Sequence, residues 1–260
     1  MAAPTLTGGR VGIIHVHSAY SHDGLDSLES LRDFALARGI AWVGLTDHAE
    51  DLDPARFDEM VSECEALSDQ RVRLIPGLEY RFAGHTGLHL LALGLSRWIE
   101  PATPEAFVRE ARGAARFTIV AHPVLARYRI PAAVLDGIDA IEVWNAAYNT
   151  RFLPDPRAIR ILHALRARRP EVVGTAGLDQ HDARNDRETR VIVAEGEQDP
   201  LAALRAGRFV NVGRTMRFDP GVALPPSGLE ALTAARWLLD RAERVQHHVM
   251  YPIKKWRARR

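Results

Sequence analysis

The chain has 260 residues, enough for one large α/β domain whose core needs no disulfide or structural metal. Hydrophobic residues make up 47% and charged residues 26%, which excludes a disordered or fibrous chain, and a net charge of +1 excludes a global pull toward nucleic acid. The single cysteine, Cys64, a first segment without the basic-then-apolar pattern of a leader, and the lack of any run long enough to span a bilayer point to a reducing, cytoplasmic setting.

Short apolar runs alternate with amphipathic stretches. VGIIHVH (11–17) predicts a strand, and SLESLRDFALARG (27–39) a helix capped by Ser27 and stopped by Gly39. AWVGLTDH (41–48) predicts a strand, PARFDEMVSECEALSD (54–69) a helix, and VRLIPGLEY (72–80) and LHLLALGL (88–95) two strands. PEAFVREARGAA (104–115) is helical and RFTIVAHP (116–123) a strand. The rhythm continues with IDAIEVWN (138–145) as strand and PRAIRILHALRARRP (156–170) as helix. EVVGTAGLD (171–179), TRVIVAE (189–195) and RFVNVG (208–213) are strands, with DPLAALRAG (199–207) as a helix between the last two. Repeated βα units of this size imply parallel strands covered by helices, and seven or more strands favour a barrel over an open sheet. After Gly213 the character changes: MRFDPGVALPPSG (216–228) is loop-like, GLEALTAARWLLDRAERVQHHVM (228–250) reads as an amphipathic helix, and the chain ends KKWRARR (254–260). The expected division is a catalytic domain over 1–215 and a C-terminal loop, helix and basic tail over 216–260.

Eleven histidines stand against four methionines, and their positions carry the argument. His15 and His17 are two apart in a strand, so both rings fall on one face ~7 Å apart. A lone HxH is weak evidence, since two polar residues at a strand end read the same way. The event recurs, however. Asp23 follows in HSAYSHDG, His48 ends AWVGLTDH, Glu79 ends VRLIPGLE, His89 opens LHLLALG, His122 ends RFTIVAHP, and Asp179 and His181 end VVGTAGLDQH. In a βα barrel the strand tips share one mouth, where catalytic groups gather. Imidazole and carboxylate without thiolate suit zinc, manganese or iron(II). Two such ions can hold a hydroxide and clamp a phosphoryl oxygen.

The order HxH, DG, TDH, GLE, a histidine before LxLG, AHP and a final DxH resembles the PHP (polymerase and histidinol phosphatase) superfamily, from about His15 to His181. The resemblance implies a distorted (β/α)7 barrel with a C-terminal helical extension, and two to three divalent metal ions (Zn, Mn or Fe). It implies that His15, His17, Glu79 and Asp179 hold one ion. Glu79 bridges to a second, also held by His89 and His122, and Asp23, His48 and His181 hold a third. HTGLHLLALG offers both His85 and His89, and the resemblance favours His89. The implied activity is that of a metal-dependent phosphoesterase acting by metal-activated hydroxide on a small phosphomonoester or nucleotide. A carbamate or carboxylic ester hydrolase and a non-catalytic partner-binding protein are the alternatives. Some nucleotide-trimming relatives carry a helical insertion where only 32 residues separate His89 from His122 here, which implies a site without that lid.

Further residues are weighed beside these. Asp47 points away from His48 on its strand and reads as structural or supporting. Glu142, at the tip of AIEVWN, resembles a common PHP position and is open between lining the pocket and a structural place. Arg184 and Arg187, and likewise Arg127 and Arg129, are candidates for gripping phosphate, though any single arginine in so arginine-rich a chain is expected on the surface. His22 reads as a loop residue, His163 as structural in a helix, and His247 and His248 as outside the metal pattern. Cys64 is expected packed on its helix. The five positive charges of KKWRARR read as a solvated tail, with nucleic acid or an anionic surface as the alternative contact.

Overall fold

The computed structural model describes residues 9–149, 152–239 and 241. The chain divides into two compact units, Met1–Ala223 and Leu224–Arg260.

In the first unit, β1 (Arg10–Val16) leads through a loop to α1 (Leu28–Ala37) and then to β2 (Trp42–Leu45) and β3 (Asp47–His48). Next come α2 (Pro54–Leu67), β4 (Arg73–Ile75), β5 (Gly77–Arg81), β6 (His89–Leu93), α3 (Pro104–Ala111) and β7 (Phe117–Ala121). The unit continues with α4 (Ala132–Leu135), β8 (Ala140–Asn145), α5 (Pro156–Arg166), β9 (Val173–Gly177), β10 (Arg190–Val193), α6 (Pro200–Arg205), β11 (Phe209–Val212) and β12 (Arg217–Phe218).

Helix starts are set locally. The Ser27 hydroxyl accepts from the Ser30 N–H, as expected of a cap. Four other helices begin with a cap followed by proline: Asp53-Pro54, Thr103-Pro104, Asp155-Pro156 and Asp199-Pro200. Proline suits the first helical position because its missing N–H would lack an intrahelical partner anyway. Gly39 follows α1 with φ 65°, a conformation that other residues adopt only at a cost.

The strands form two six-stranded sheets, ordered β12-β11-β10-β1-β2-β4 and β3-β5-β6-β7-β8-β9. Two predicted strands are each broken and shared between the sheets. AWVGLTDH breaks at Thr46, so β2 pairs with β4 while β3 pairs with β5. VRLIPGLEY breaks at Pro76, which has no N–H to give to a ladder. The uniformly parallel pattern that βα alternation predicts holds only in part. β6 is antiparallel to both β5 and β7, and β1, β10, β11 and β12 pair antiparallel in succession. The short α4 and β12 were not legible in the sequence pattern, and β12 lies inside the stretch expected to be loop. The ends of the two sheets meet at the site: His17 N–H donates to the Gln180 carbonyl at 2.8 Å and Leu178 N–H to that of Ile14 at 3.0 Å.

One apolar cluster draws on both sheets, with Ile14, Trp42, Ile75, Leu91, Leu93, Phe117, Ile119, Val173, Val191 and Phe209 all buried. Helices α2 and α5 pack outside, on β4 and on β8 and β9. Burying one such side chain contributes about 1.5–3 kcal/mol, so this interior can hold the strands while their tips carry polar residues. Between His89 and His122 the chain makes two strands and one short helix, without a larger insertion.

In the second unit a helix occupies 226–239 and residue 241. The basic tail and His247 and His248 lie outside the described residues. No helix among the described residues is long and apolar enough to cross a membrane.

Candidate metal centre

The chain gathers all nine predicted ligand residues at one edge. His15 sits in β1 where its register against β2 slips between Ile14 and Val16. The slip puts His15 at φ 63°, and Asp179 stands at φ 49° and His122 at φ 22°. Non-glycine residues adopt such left-handed conformations at a cost of about 1–3 kcal/mol each. Three of the nine candidates carry this strain, which marks the edge as held in place by the surrounding fold.

His89 shows why the edge forms. It opens its strand, whereas His48 closes β3 and His122 directly follows the last residue of β7. Because β6 runs antiparallel to β5, with His89 opposite Arg81, its beginning lies beside its neighbours' ends. His89 Nδ1 is 2.8 Å from Glu79 Oε1, and His85 is exposed in the preceding turn.

Glu79 is the centre of the cluster. Its Oε1 lies 2.8 Å from His89, 3.1 Å from His122 and 3.6 Å from His15. Its Oε2 lies 3.1 Å from His48 and 3.6 Å from His17. Asp179 Oδ1 is 3.5 Å from His15 and from His17 and 3.7 Å from His181. Asp23 Oδ2 is 3.3 Å from both His48 and His181. Burial works against the charge on Glu79, but the close imidazoles of His122, His15, His48 and His89 hold its carboxyl well below the usual range. Burial likewise opposes the charge on Asp179, and His15, His17 and His122 outweigh it to keep that carboxyl low. Burial favours neutral imidazole at His17 and lowers its pKa, whereas at His15 the neighbouring Asp179 and Glu142 outweigh burial and raise it.

The donor set fits divalent ions. Three groups of side chains each converge within 4.8 Å: His17, Asp23, His48 and His181; His15, Glu79 and His122; and His15, His17 and Asp179. At their heart His15 Nε2, both ring nitrogens of His17, Asp23 Oδ1 and His122 Nδ1 are buried without a hydrogen-bond partner. Buried polar atoms are normally satisfied, and one left unpaired costs about 1–3 kcal/mol, so a cluster of orphans calls for a ligand. Nitrogen and carboxylate oxygen without sulfur is the donor chemistry of zinc, manganese and non-haem iron sites.

Supporting residues fix the candidates. Glu142 Oε1 accepts from His15 Nδ1 at 3.0 Å, which turns His15 Nε2 toward Glu79 and Asp179. Its Oε2 accepts the His122 N–H at 2.7 Å and the Asn145 side-chain amide at 2.8 Å. Glu142 therefore stands behind the cluster and orients His15 and His122. Gly177 permits this, since a Cβ there would collide with the Glu142 carboxylate. Asp47 accepts from the Ser18 N–H and hydroxyl and from the Ser21 hydroxyl, while His48 N–H donates to the Ser21 oxygen. Asp47 thereby ties down the loop that delivers Asp23. Gly24 closes that loop, as a Cβ would strike the Ser18 carbonyl.

Not every expected residue is brought in. Arg184 is exposed and pairs with Asp182, and Arg127 and Arg129 are exposed. Arg187 donates to the Ala146 carbonyl and lines a neighbouring cavity with Tyr148, Asp179 and Gln180. His22 pairs with Asp51 at 2.7 Å, His163 donates to the Val222 carbonyl, and Cys64 is buried, which pushes its thiol pKa up. Two residues escaped sequence reading. Arg81 and Tyr148 line the cavity of about 320 Å³ at the cluster, with Asp23, His48 and His181 among its walls. Arg81 had a signal, because in GLEYR it lies two residues beyond Glu79 on the same strand face. Tyr148 had none, since a loop brings its ring to 4.9 Å from that of His122.

This edge of nitrogen and carboxylate donors defines a candidate multinuclear metal centre on a mixed α/β fold. Residues 14–130 match the family model of the PHP domain, which supports membership of the PHP superfamily. PHP domains are in general metal-dependent and hydrolytic. The crystal structure of PsfC from Pseudomonas syringae PB-5123 is similar, with a TM-score of 0.57 over 90% of this chain and 100% of that one. At 17% identity the likeness speaks for the fold alone. No curated protein matches the chain in sequence.

Proposed function

We propose that the protein is a metal-dependent phosphoesterase acting on a small phosphate ester, a phosphomonoester or nucleotide. The observation that carries this reading is the Glu79 carboxylate, whose two oxygens face different sets of imidazoles. In this reading His15, His17, Glu79 and Asp179 hold one ion, Glu79, His89 and His122 a second, and Asp23, His48 and His181 a third. His17 stands between the first and third sets, its ring stacked 4.1 Å from that of His181. Zinc, manganese or iron bound there would supply an activated water as nucleophile and positive charge for the developing oxyanions.

The chain's own part is placement. Glu142 holds the His15 tautomer, Asp47 holds the Asp23 loop, and the cavity walled by Arg81, His89, Tyr148 and His181 admits the ester. The fold reading goes with it: the hydrogen bonds between β1 and the segment after β9, and the strands shared by both sheets, support one distorted seven-stranded barrel. The proposed catalytic region covers 1–215, with 216–260 as an appendage, and a cytoplasmic place remains the expectation.

The test is a substrate panel on protein reconstituted with manganese or zinc, covering phosphomonoesters, diesters, nucleotides, and carbamate and aryl carboxylic esters. Phosphate-ester turnover that disappears with chelator is the expected result. Turnover confined to the acyl substrates would replace this reading with the ester-hydrolase one, and turnover of nothing with any metal would favour a binding protein.

A further inference from the structure

Arg81 is placed by β5 itself. Glu79 and Arg81 are alternate residues of one strand and share its face, and Arg81 pairs in register with His89. Its guanidinium reaches over the cluster. Nη2 donates toward His48, 3.0 Å from Nε2 and 3.3 Å from Nδ1, and Nη1 lies 3.1 Å from Glu50 Oε1. The pair with Glu50 does not account for this position, since both side chains are about four-tenths exposed and such surface pairs contribute little. Among the described residues lining the cavity, Arg81 is the one guanidinium.

We infer that Arg81 grips the substrate's anionic group at the cavity mouth and sets a preference for phosphate monoesters over diesters. The inference rests on the phosphoesterase reading. A guanidinium offers five N–H donors in a planar fork matched to two oxygens of one phosphate. A monoester carries close to two negative charges at neutral pH and three terminal oxygens, whereas a diester carries one charge and two such oxygens. One fixed cation at the mouth therefore rewards the monoester more.

The experiment compares wild type, Arg81→Lys and Arg81→Ala, each loaded with manganese and checked for metal content. Kinetics are measured on 4-nitrophenyl phosphate and bis(4-nitrophenyl) phosphate, and binding of inorganic phosphate by calorimetry. In Arg81→Ala the monoester KM and the phosphate Kd should rise about 10–100-fold, with kcat within a few-fold and metal content unchanged. The ratio of monoester to diester kcat/KM should fall about tenfold or more, and lysine should restore part of it. A KM and phosphate Kd within twofold of wild type would overturn the role of Arg81 while leaving phosphoesterase activity standing. A loss of affinity that merely follows a loss of metal would overturn it too. If wild type hydrolyses no phosphate ester, phosphate binding still decides: binding weakened in Arg81→Ala supports the grip, equal binding overturns it, and no binding by wild type removes both readings.

Discussion

The tips of β5 and β8 look alike in sequence, GLEYR and IEVWN, each with a buried glutamate in an apolar run. Their surroundings differ. Glu142 is satisfied by donors, namely the His122 N–H, the Asn145 amide and His15 Nδ1. Glu79 instead faces imidazoles on both of its oxygens, each ring itself a candidate ligand. A buried carboxylate surrounded by spent donors orients its neighbours, whereas one surrounded by groups with unused lone pairs is poised to share an ion with them. The comparison teaches that strand-tip position alone does not separate ligand from support.

The sharpest way to break the comparison is to neutralise each tip. Glu79→Gln keeps the shape but removes the charge that offsets repulsion between neighbouring dications. Metal should be lost from two positions and turnover should fall about a thousandfold, roughly 4 kcal/mol. Asp23→Asn should empty only the third position. Elemental analysis and turnover under identical loading check both, and full metal content with a near-normal rate in Glu79→Gln would require the ligand assignment to be rebuilt.

Asp47→Ala probes support of another kind. It strips three donors of their acceptor, leaving the buried Ser18 N–H unpaired. A loss of about 3 kcal/mol is expected in chemical denaturation of the metal-free protein. Stability within 0.5 kcal/mol of wild type would mean the loop is anchored elsewhere.

Glu142→Gln should act through metal affinity. Partners of metal-binding histidines commonly alter affinity 10–100-fold, so a chelator competition should show a shift of that order with all positions still fillable at high metal. Complete loss of one ion would instead make Glu142 a ligand and erase the distinction between the two tips. Ser27→Ala lies far from this contrast and serves as its baseline. Loss of the α1 cap should cost about 1 kcal/mol in denaturation, with metal content and turnover unchanged.

Much of this is legible in the sequence because the signals are local. Apolar periodicity, cap-proline pairs and terminal glycine mark where elements begin and end, and the ligand candidates stand out as histidines and carboxylates beside apolar runs. Tyr148 was not legible, because a tyrosine in a loop looks the same whether or not it folds back onto a histidine.

The nine residues and their order are properties of the sequence alone. Their convergence is not, because it depends on strand direction and strand breaks, which follow from which backbone donors meet which acceptors far along the chain. Only an antiparallel β6 brings His89, at the start of its strand, to the edge that holds Glu79 within β5 and His122 just past β7. Only the breaks at Thr46 and Pro76 let two runs serve both sheets. The same non-local pairing placed Arg81 over the cluster and Glu142 behind it, although both stand near the ends of buried strands in the sequence.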